Sequence, residues 1–180
     1  MKIVKNILND CLLLEPVSFI DSRGSFTKFF SKTAFSELDL TLDIQEQFYT
    51  FSKKNVIRGM HFQAPPFDHD KLATCINGRV LDVVLDLRKE SSNYGKVDSC
   101  ILDSTKESLI YIPKGFAHGF LSLEDDSCVM YSVTTQYEPD NDKGILWSSF
   151  GFDWPEFDFI ISERDQDLPA LKALLKKDVK

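Results

Sequence analysis

The chain is poor in the residues that most often announce a chemistry. Histidine occurs three times and cysteine four times in 180 residues. Cys11, Cys75, Cys100 and Cys128 stand far apart, with no CxxC pair and no Cys/His cluster. That spacing excludes a thiolate metal knuckle and leaves buried free thiols in a reducing compartment as the expectation. His61 is followed by Phe62 and Gln63, so the closely spaced His-x-His of a small-barrel metal site is missing. No phosphate-binding P-loop, dinucleotide fingerprint or GxSxG elbow occurs. Basic charge is scarce: 21 Lys and Arg against 28 Asp and Glu give a formal net charge of −7 and a pI near 5.0. That balance argues against nucleic acid or an anionic membrane as partner. No apolar run approaches the ~18 residues of a membrane span. The first apolar stretches are broken by Asn6, Asn9 and Asp10, so no signal-peptide core forms. A soluble, cytoplasmic protein is expected.

What is present is a heavy aromatic load. Hydrophobic residues make up 43% and aromatic residues 12%, with 15 phenylalanines, as in a folded, sheet-rich interior. Strand-like runs recur along the chain: 12–20 with a break or edge at Pro16, 25–30, 45–52, 55–63, 72–76, 79–88, 97–102, 109–113, 117–123 and a long one over 127–137. Asn77-Gly78 between two apolar runs is a hairpin signal. The 79–88 run alternates strictly, with Leu81, Val83, Leu85 and Leu87 on one face. Val80, Asp82, Val84, Asp86 and Arg88 share the other. Acids on that face suggest a polar-lined cavity or a solvated side: Asp82 stands evenly between the two, and Asp86 is expected to be solvated. Helices are expected over 32–42, capped by Ser31 or Thr33, and over 168–177, packing through Leu171, Leu174 and Leu175. A short strand is expected at 145–149. Ten or more short strands with regular turns indicate one all-β sandwich or barrel domain over residues 1–180.

The stretch Val56–Gln63, VIRGMHFQ, is the most unusual. It places Arg58, Gly59, His61 and Gln63 in a strand-forming segment. Period-2 geometry separates Arg58 from His61, unless Gly59 carries a bulge that re-aims Arg58 to the His61 side. With metal and nucleophile signatures missing, acid–base chemistry remains. It requires a base such as His61, a carboxylate to fix its tautomer, a cation for a developing oxyanion and an acid such as tyrosine.

DSRGSFTKFF, VIRGMHFQ, KLATCINGRVLDVVLDLRKESSNYGK, YIPKGFAHGF, Tyr131, Tyr137–Pro139, FDWP and SERDQDLPAL together resemble the dTDP-4-dehydrorhamnose 3,5-epimerase family. The resemblance runs from about Leu14 to Leu174 and implies a cupin-type jelly roll. It implies His61 as general base, Asp165 as its orienting carboxylate, Tyr131 as the acid on the opposite sugar face and Lys71 as the enolate clamp. Asp82 and His118 would join Lys71 around the keto oxygen. Arg58 and Arg23 would contact the diphosphate, Arg23 from the partner subunit of a homodimer. Phe26 and Tyr137 would line the ligand site, and Gln47 and Gln63 would contact substrate. The implied reaction inverts C3, C5 or both in a nucleoside-diphosphate 4-keto sugar, with no cofactor or metal. His69, in the Ala64–Asp70 loop, is expected to be solvated. Three rivals remain: a single-carbon epimerase or ketoisomerase on a non-thymidine nucleotide sugar, a non-catalytic sugar-nucleotide binding cupin, and a metal-dependent cupin.

Overall fold

The computed structural model describes the backbone of residues 1–177, with side chains through Leu174. In chain order the strands are Lys2–Leu8 (β1), Cys11–Glu15 (β2), Val17–Asp21 (β3), Gly24–Lys28 (β4), Glu46–Ser52 (β5), Ile57–Gln63 (β6), Lys71–Asn77 (β7), Arg79–Asp86 (β8), Val97–Asp103 (β9), Leu109–Ile112 (β10), Phe116–Ser122 (β11), Ser127–Val133 (β12) and Asp142–Gly144 (β13). The helices are Lys32–Ser36 (α1), Glu163–Gln166 (α2) and Leu171–Lys177 (α3). One antiparallel sheet runs β1-β2-β10-β7-β12-β5 and the other β13-β6-β11-β8-β9. They form a cupin-type jelly roll, as the sequence resemblance implies.

The inner strands of both sheets are covered on both faces, while β1 and most of β5 stay exposed. Between them lie Ala73, Cys75, Ile110, Ile112 and Val129 from one sheet, against Val80, Val84, Leu102, Phe116 and Phe120 from the other. Leu14, Leu72, Leu109 and Phe35 form a second cluster behind the first sheet. Met60, Val83, Leu85, Ala117 and Ile145 form a third behind the second sheet. The alternation in β8 therefore divides two apolar layers rather than core from water. Asp82 falls on the inter-sheet side and is fully buried, as the cavity reading expects. Asp86 is fully buried too, which corrects the expectation of solvation. It accepts Arg88 Nη2 at 2.9 Å and Ser91 Oγ at 2.6 Å, and Arg88 covers the Phe116 ring. A buried carboxylate with this many donors is held charged by them.

Several boundaries differ from expectation, each for a visible reason. Pro16 splits the 12–20 run into β2 and β3, which belong to different sheets. The 32–42 helix stops at Ser36, and Ser31 makes no side-chain cap bond. The helix closes in a turn in which Asp39 has φ +57° and Leu40 N–H returns to Phe35 O at 3.0 Å; Leu38, Leu40, Leu42 and Ile44 then all pack on the second cluster. The long run over 127–137 ends at Val133. The expected strand at 145–149 is displaced to β13; Leu146 N–H leaves the sheet and donates to Pro169 O at 2.9 Å. The C-terminal helix begins at Leu171 rather than 168; Leu171 and Leu174 pack on the third cluster, and Leu175 lies outside the described side chains. The β3–β4 hairpin pairs with neither sheet and leaves Phe19, Ile20 and Phe26 exposed.

Candidate active site

The site starts from the bulge. Across β6 and β11, His61 faces His118 and Arg58 faces Phe120, so Gly59 and Met60 together oppose Gly119. Gly59 has φ +125°, and a Cβ there would lie 2.6 Å from Gly119 Cα and 2.9 Å from His118 O. Only glycine fits so close a backbone crossing. The extra residue sends Met60 into the apolar cluster behind the sheet. Arg58 and His61 then line one cavity of about 670 Å³, at the open side of the inter-sheet space near β5 and β6. The volume lies within the ~300–1,000 Å³ usual for small-molecule sites.

His61 Nε2 lies 2.8 Å from Asp165 Oδ1, and Gly59 N–H donates to Asp165 Oδ2 at 3.1 Å. Asp165 sits on α2, whose first turn is capped by Ser162, and is 4% exposed. Burial pushes its carboxyl pKa up, but the His61 hydrogen bond and charge and the Gly59 N–H outweigh that, so the net shift is downward. An ionised carboxylate only accepts. Nε2 therefore carries the proton, and Nδ1 of neutral His61 keeps its lone pair for chemistry.

Tyr131 on β12 lines the same cavity and is 6% exposed. Burial and the negative charge of Asp82 push its phenol well above the ordinary value, so it remains a proton donor at neutral pH. Phe48 stacks on its ring with centroids 4.8 Å apart. Lys71 Nζ lies 5.9 Å from the centre of that ring. Beyond it, buried His118 Nε2 meets Asp82 Oδ2 at 2.8 Å. The other Asp82 oxygen has no hydrogen-bond partner, and its charge supports the nearby ammonium. Burial pushes the Lys71 pKa down, Asp82 and Asp142 pull it back, and it settles at about 8. Activity that uses this cation should fall as pH rises through about 8. A kcat–pH profile should show that alkaline limb in the native protein. In Lys71→Arg, whose guanidinium stays charged, the limb should be gone at a lower plateau.

A family model for dTDP-4-dehydrorhamnose 3,5-epimerase matches residues 5–173. The chain belongs to the dTDP-4-dehydrorhamnose 3,5-epimerase family. It is 37% identical to the Escherichia coli (strain K12) dTDP-4-dehydrorhamnose 3,5-epimerase over 98% of this chain and 97% of that protein. The crystal structure of the Bacillus anthracis family member with TDP and PPi bound superposes with a TM-score of 0.92 at 36% identity, covering 94% of this chain and 99% of that one. The Legionella pneumophila member in complex with dTDP-4-keto-L-rhamnose superposes with a TM-score of 0.90 at 29% identity, covering 95% and 93%. The protein is a nucleotide-sugar epimerase, and no helix among its described residues is long and apolar enough to cross a membrane.

With this epimerase-family placement, the remaining expected residues sort by position. Gln63 and Tyr137 line the cavity with Arg58. Arg58 is steadied by Ser52 Oγ and Phe51 O, both at 3.0 Å from its guanidinium nitrogens. Tyr137 OH donates to Asp142 Oδ2 at 3.3 Å. Gln47 points away from the cavity and donates to Ser132 Oγ at 2.8 Å. Its neighbours Glu46, Phe48 and Thr50 take the cavity side, because Phe48 is paired with Tyr131 and period 2 does the rest. Arg23 is exposed and clamped to Asp21 at 2.6 Å, and Phe26 is exposed; both lie on the β3–β4 hairpin and neither lines this chain's cavity. His69 is half-buried and lines the cavity, which corrects the expectation of a solvated loop histidine. Glu46 and Arg164 also line it without having been anticipated. Among the described residues no group of three or more His, Cys, Asp or Glu side chains is arranged to hold a metal.

Proposed function

We propose that this epimerase inverts C3 and C5 of a thymidine-diphosphate 4-keto-6-deoxyhexose through an enolate, with His61 as base and Tyr131 as acid. The single observation that carries the reading is the His61–Asp165 pair opening onto the cavity that Tyr131 also lines. The C3 and C5 hydrogens are both alpha to the C4 ketone. His61 Nδ1 removes one as a proton; the electron pair passes into the carbonyl, and Lys71 steadies the oxyanion. Tyr131 gives its phenolic proton to the same carbon from the other face. The carbon is inverted, the imidazolium carries the substrate's proton, and exchange with water resets both side chains.

The thymidine nucleotide and both carbons rest on the activity in the relatives' names and on the ligands of the two superposed structures. A homodimer is part of the proposal: the exposed Phe19, Ile20 and Phe26 on a hairpin that carries Arg23 suit a partner's cavity. So are one functional unit over residues 1–180 and a cytoplasmic location, which four free thiols suit. The reading is tested by incubating the protein in D2O with thymidine, guanosine and cytidine diphosphate 4-keto sugars and following C3 and C5 by NMR. Deuterium at both carbons of the thymidine compound supports it. Exchange at one carbon only, or on another nucleotide alone, replaces it with the single-carbon or non-thymidine reading.

A further inference from the structure

We propose that His69 is a substrate-specificity residue: a neutral imidazole, in its Nε2–H tautomer, that donates to an oxygen substituent on the hexose ring next to the carbonyl. The inference rests on the function proposed above and names a contact that function leaves unassigned.

The tautomer rests on the amide contact. Glu138 N–H donates to Gln63 Oε1 at 2.7 Å, which fixes the Gln63 side chain with its NH2 turned the other way. That NH2 donates to Phe67 O at 2.8 Å and reaches His69 Nδ1 at 3.2 Å. Thr135 Oγ1 meets the same Nδ1 at 3.0 Å. The same NH2 also reaches Thr135 Oγ1 at 3.1 Å and Gln136 O at 3.2 Å, and Thr135 Oγ1 donates to Phe67 O at 3.0 Å. The NH2 contact to Nδ1 is a hydrogen bond when that atom presents its lone pair and the ring proton sits on Nε2. A proton on Nδ1 would give up the Gln63 contact and keep only Thr135 Oγ1 as acceptor. Burial and the positive charge of Lys71 oppose a second proton as well, and push the His69 pKa down to about 4. His69 is thus an uncharged N–H donor across the neutral range.

Nε2 has no hydrogen-bond partner among the described residues. The ring lines both the main cavity and a small one of about 10 Å³ that Lys71, Phe62 and Phe116 also line. His69 precedes Lys71 by two positions, and the two line both cavities together. A donor beside the enolate clamp reads what lies beside the carbonyl. A hydroxyl oxygen there accepts from Nε2–H; a substrate with hydrogen in its place leaves the donor unmet in a half-buried site, which costs affinity for the transition state.

The test crosses one substitution with one substrate change. Deuterium entry at C5 is followed for a thymidine-diphosphate 4-keto-6-deoxyhexose and for its 3-deoxy analogue, in native protein and in His69→Phe. We expect the native protein to favour the hydroxylated substrate by about tenfold in kcat/KM, the size of one hydrogen bond in a buried site. His69→Phe should lose that preference by slowing the hydroxylated substrate alone. Equal slowing of both substrates, or no change in the ratio, overturns the proposal. Should His69→Phe not fold, 15N spectra of the native protein decide, with only three histidines to resolve. They should show His69 as the Nε2–H tautomer between pH 5 and pH 9, with its proton shifting on addition of the 4-keto sugar nucleotide but not of thymidine diphosphate. An Nδ1–H tautomer or an unmoved resonance overturns it. If native protein exchanges neither C3 nor C5 in any substrate, the proposed function fails instead, whatever the spectra show.

Discussion

His61→Asn is expected to lower kcat by ~10³-fold while leaving thymidine diphosphate binding intact, because general-base catalysis supplies about 10² to 10⁴ of rate. The side chain is 30% exposed and contributes to no apolar cluster, so removing the ring opens no hole in the core. Asp165 keeps its Gly59 N–H donor and is not left stranded. The loss should therefore sit in kcat, with substrate affinity little changed, which is the signature of an interaction made only on the way over the barrier. Exchange measured at C3 and at C5 should fall together if one base serves both carbons. Isothermal titration with thymidine diphosphate, beside single-turnover NMR, separates binding from chemistry. An exchange rate within a few-fold of native would remove His61 from the reaction.

Gly59→Ala is expected to cost about 3 kcal/mol or more of stability and most of the activity of whatever folds. Two independent penalties meet at this position. The left-handed φ of +125° disfavours any Cβ, and the added methyl would press on the backbone of Gly119 and His118 at 2.6 and 2.9 Å. Backbone strain of this kind costs ~1–3 kcal/mol, and overpacking a similar amount. Neither neighbour is a flexible side-chain tip that can swing away. Relief requires β6 to part from β11, which would flatten the bulge, turn Arg58 out of the cavity and withdraw the N–H from Asp165. Urea unfolding gives the stability loss directly. A midpoint within experimental error of native would mean that the crossing is not this tight.

How much of this was legible in advance depends on the distance over which a residue is determined. The Gly59 bulge was readable because its reason is local: an arginine and a histidine of opposite parity in one strand, with a glycine between them. The alternation of β8 put Asp82 on one face but left it open between cavity and solvent. Asp86 occupies the same face but is buried, because Arg88 folds back two residues to meet it, and periodicity carries no information about that pairing. Gln47 was misplaced by one residue. The available signal was the parity of β5 against Tyr131, which requires knowing that β5 pairs with β12. Nothing near Asp165 in the sequence says that it meets His61; only the resemblance to the family brought the two together. His69 read as solvated because its loop is rich in proline and acid, yet its partners Gln63 and Thr135 come from β6 and from the segment after β12. The strand Lys2–Leu8 escaped because it is an exposed edge whose Lys2, Lys5 and Asn6 mask any hydrophobic pattern.

The central claim is that two side chains work on opposite faces of one carbon, and Tyr131→Phe in D2O tests it most directly. The phenol's hydroxyl is removed while the stacked ring and its packing against Phe48 remain. His61 should still take the proton and return deuterium from its own side. The account predicts that native protein yields deuterated, inverted sugar, whereas the variant yields deuterated sugar of unchanged configuration at a comparable exchange rate. Inversion in the variant at the native rate would contradict it, because the second proton would then come from somewhere other than residue 131.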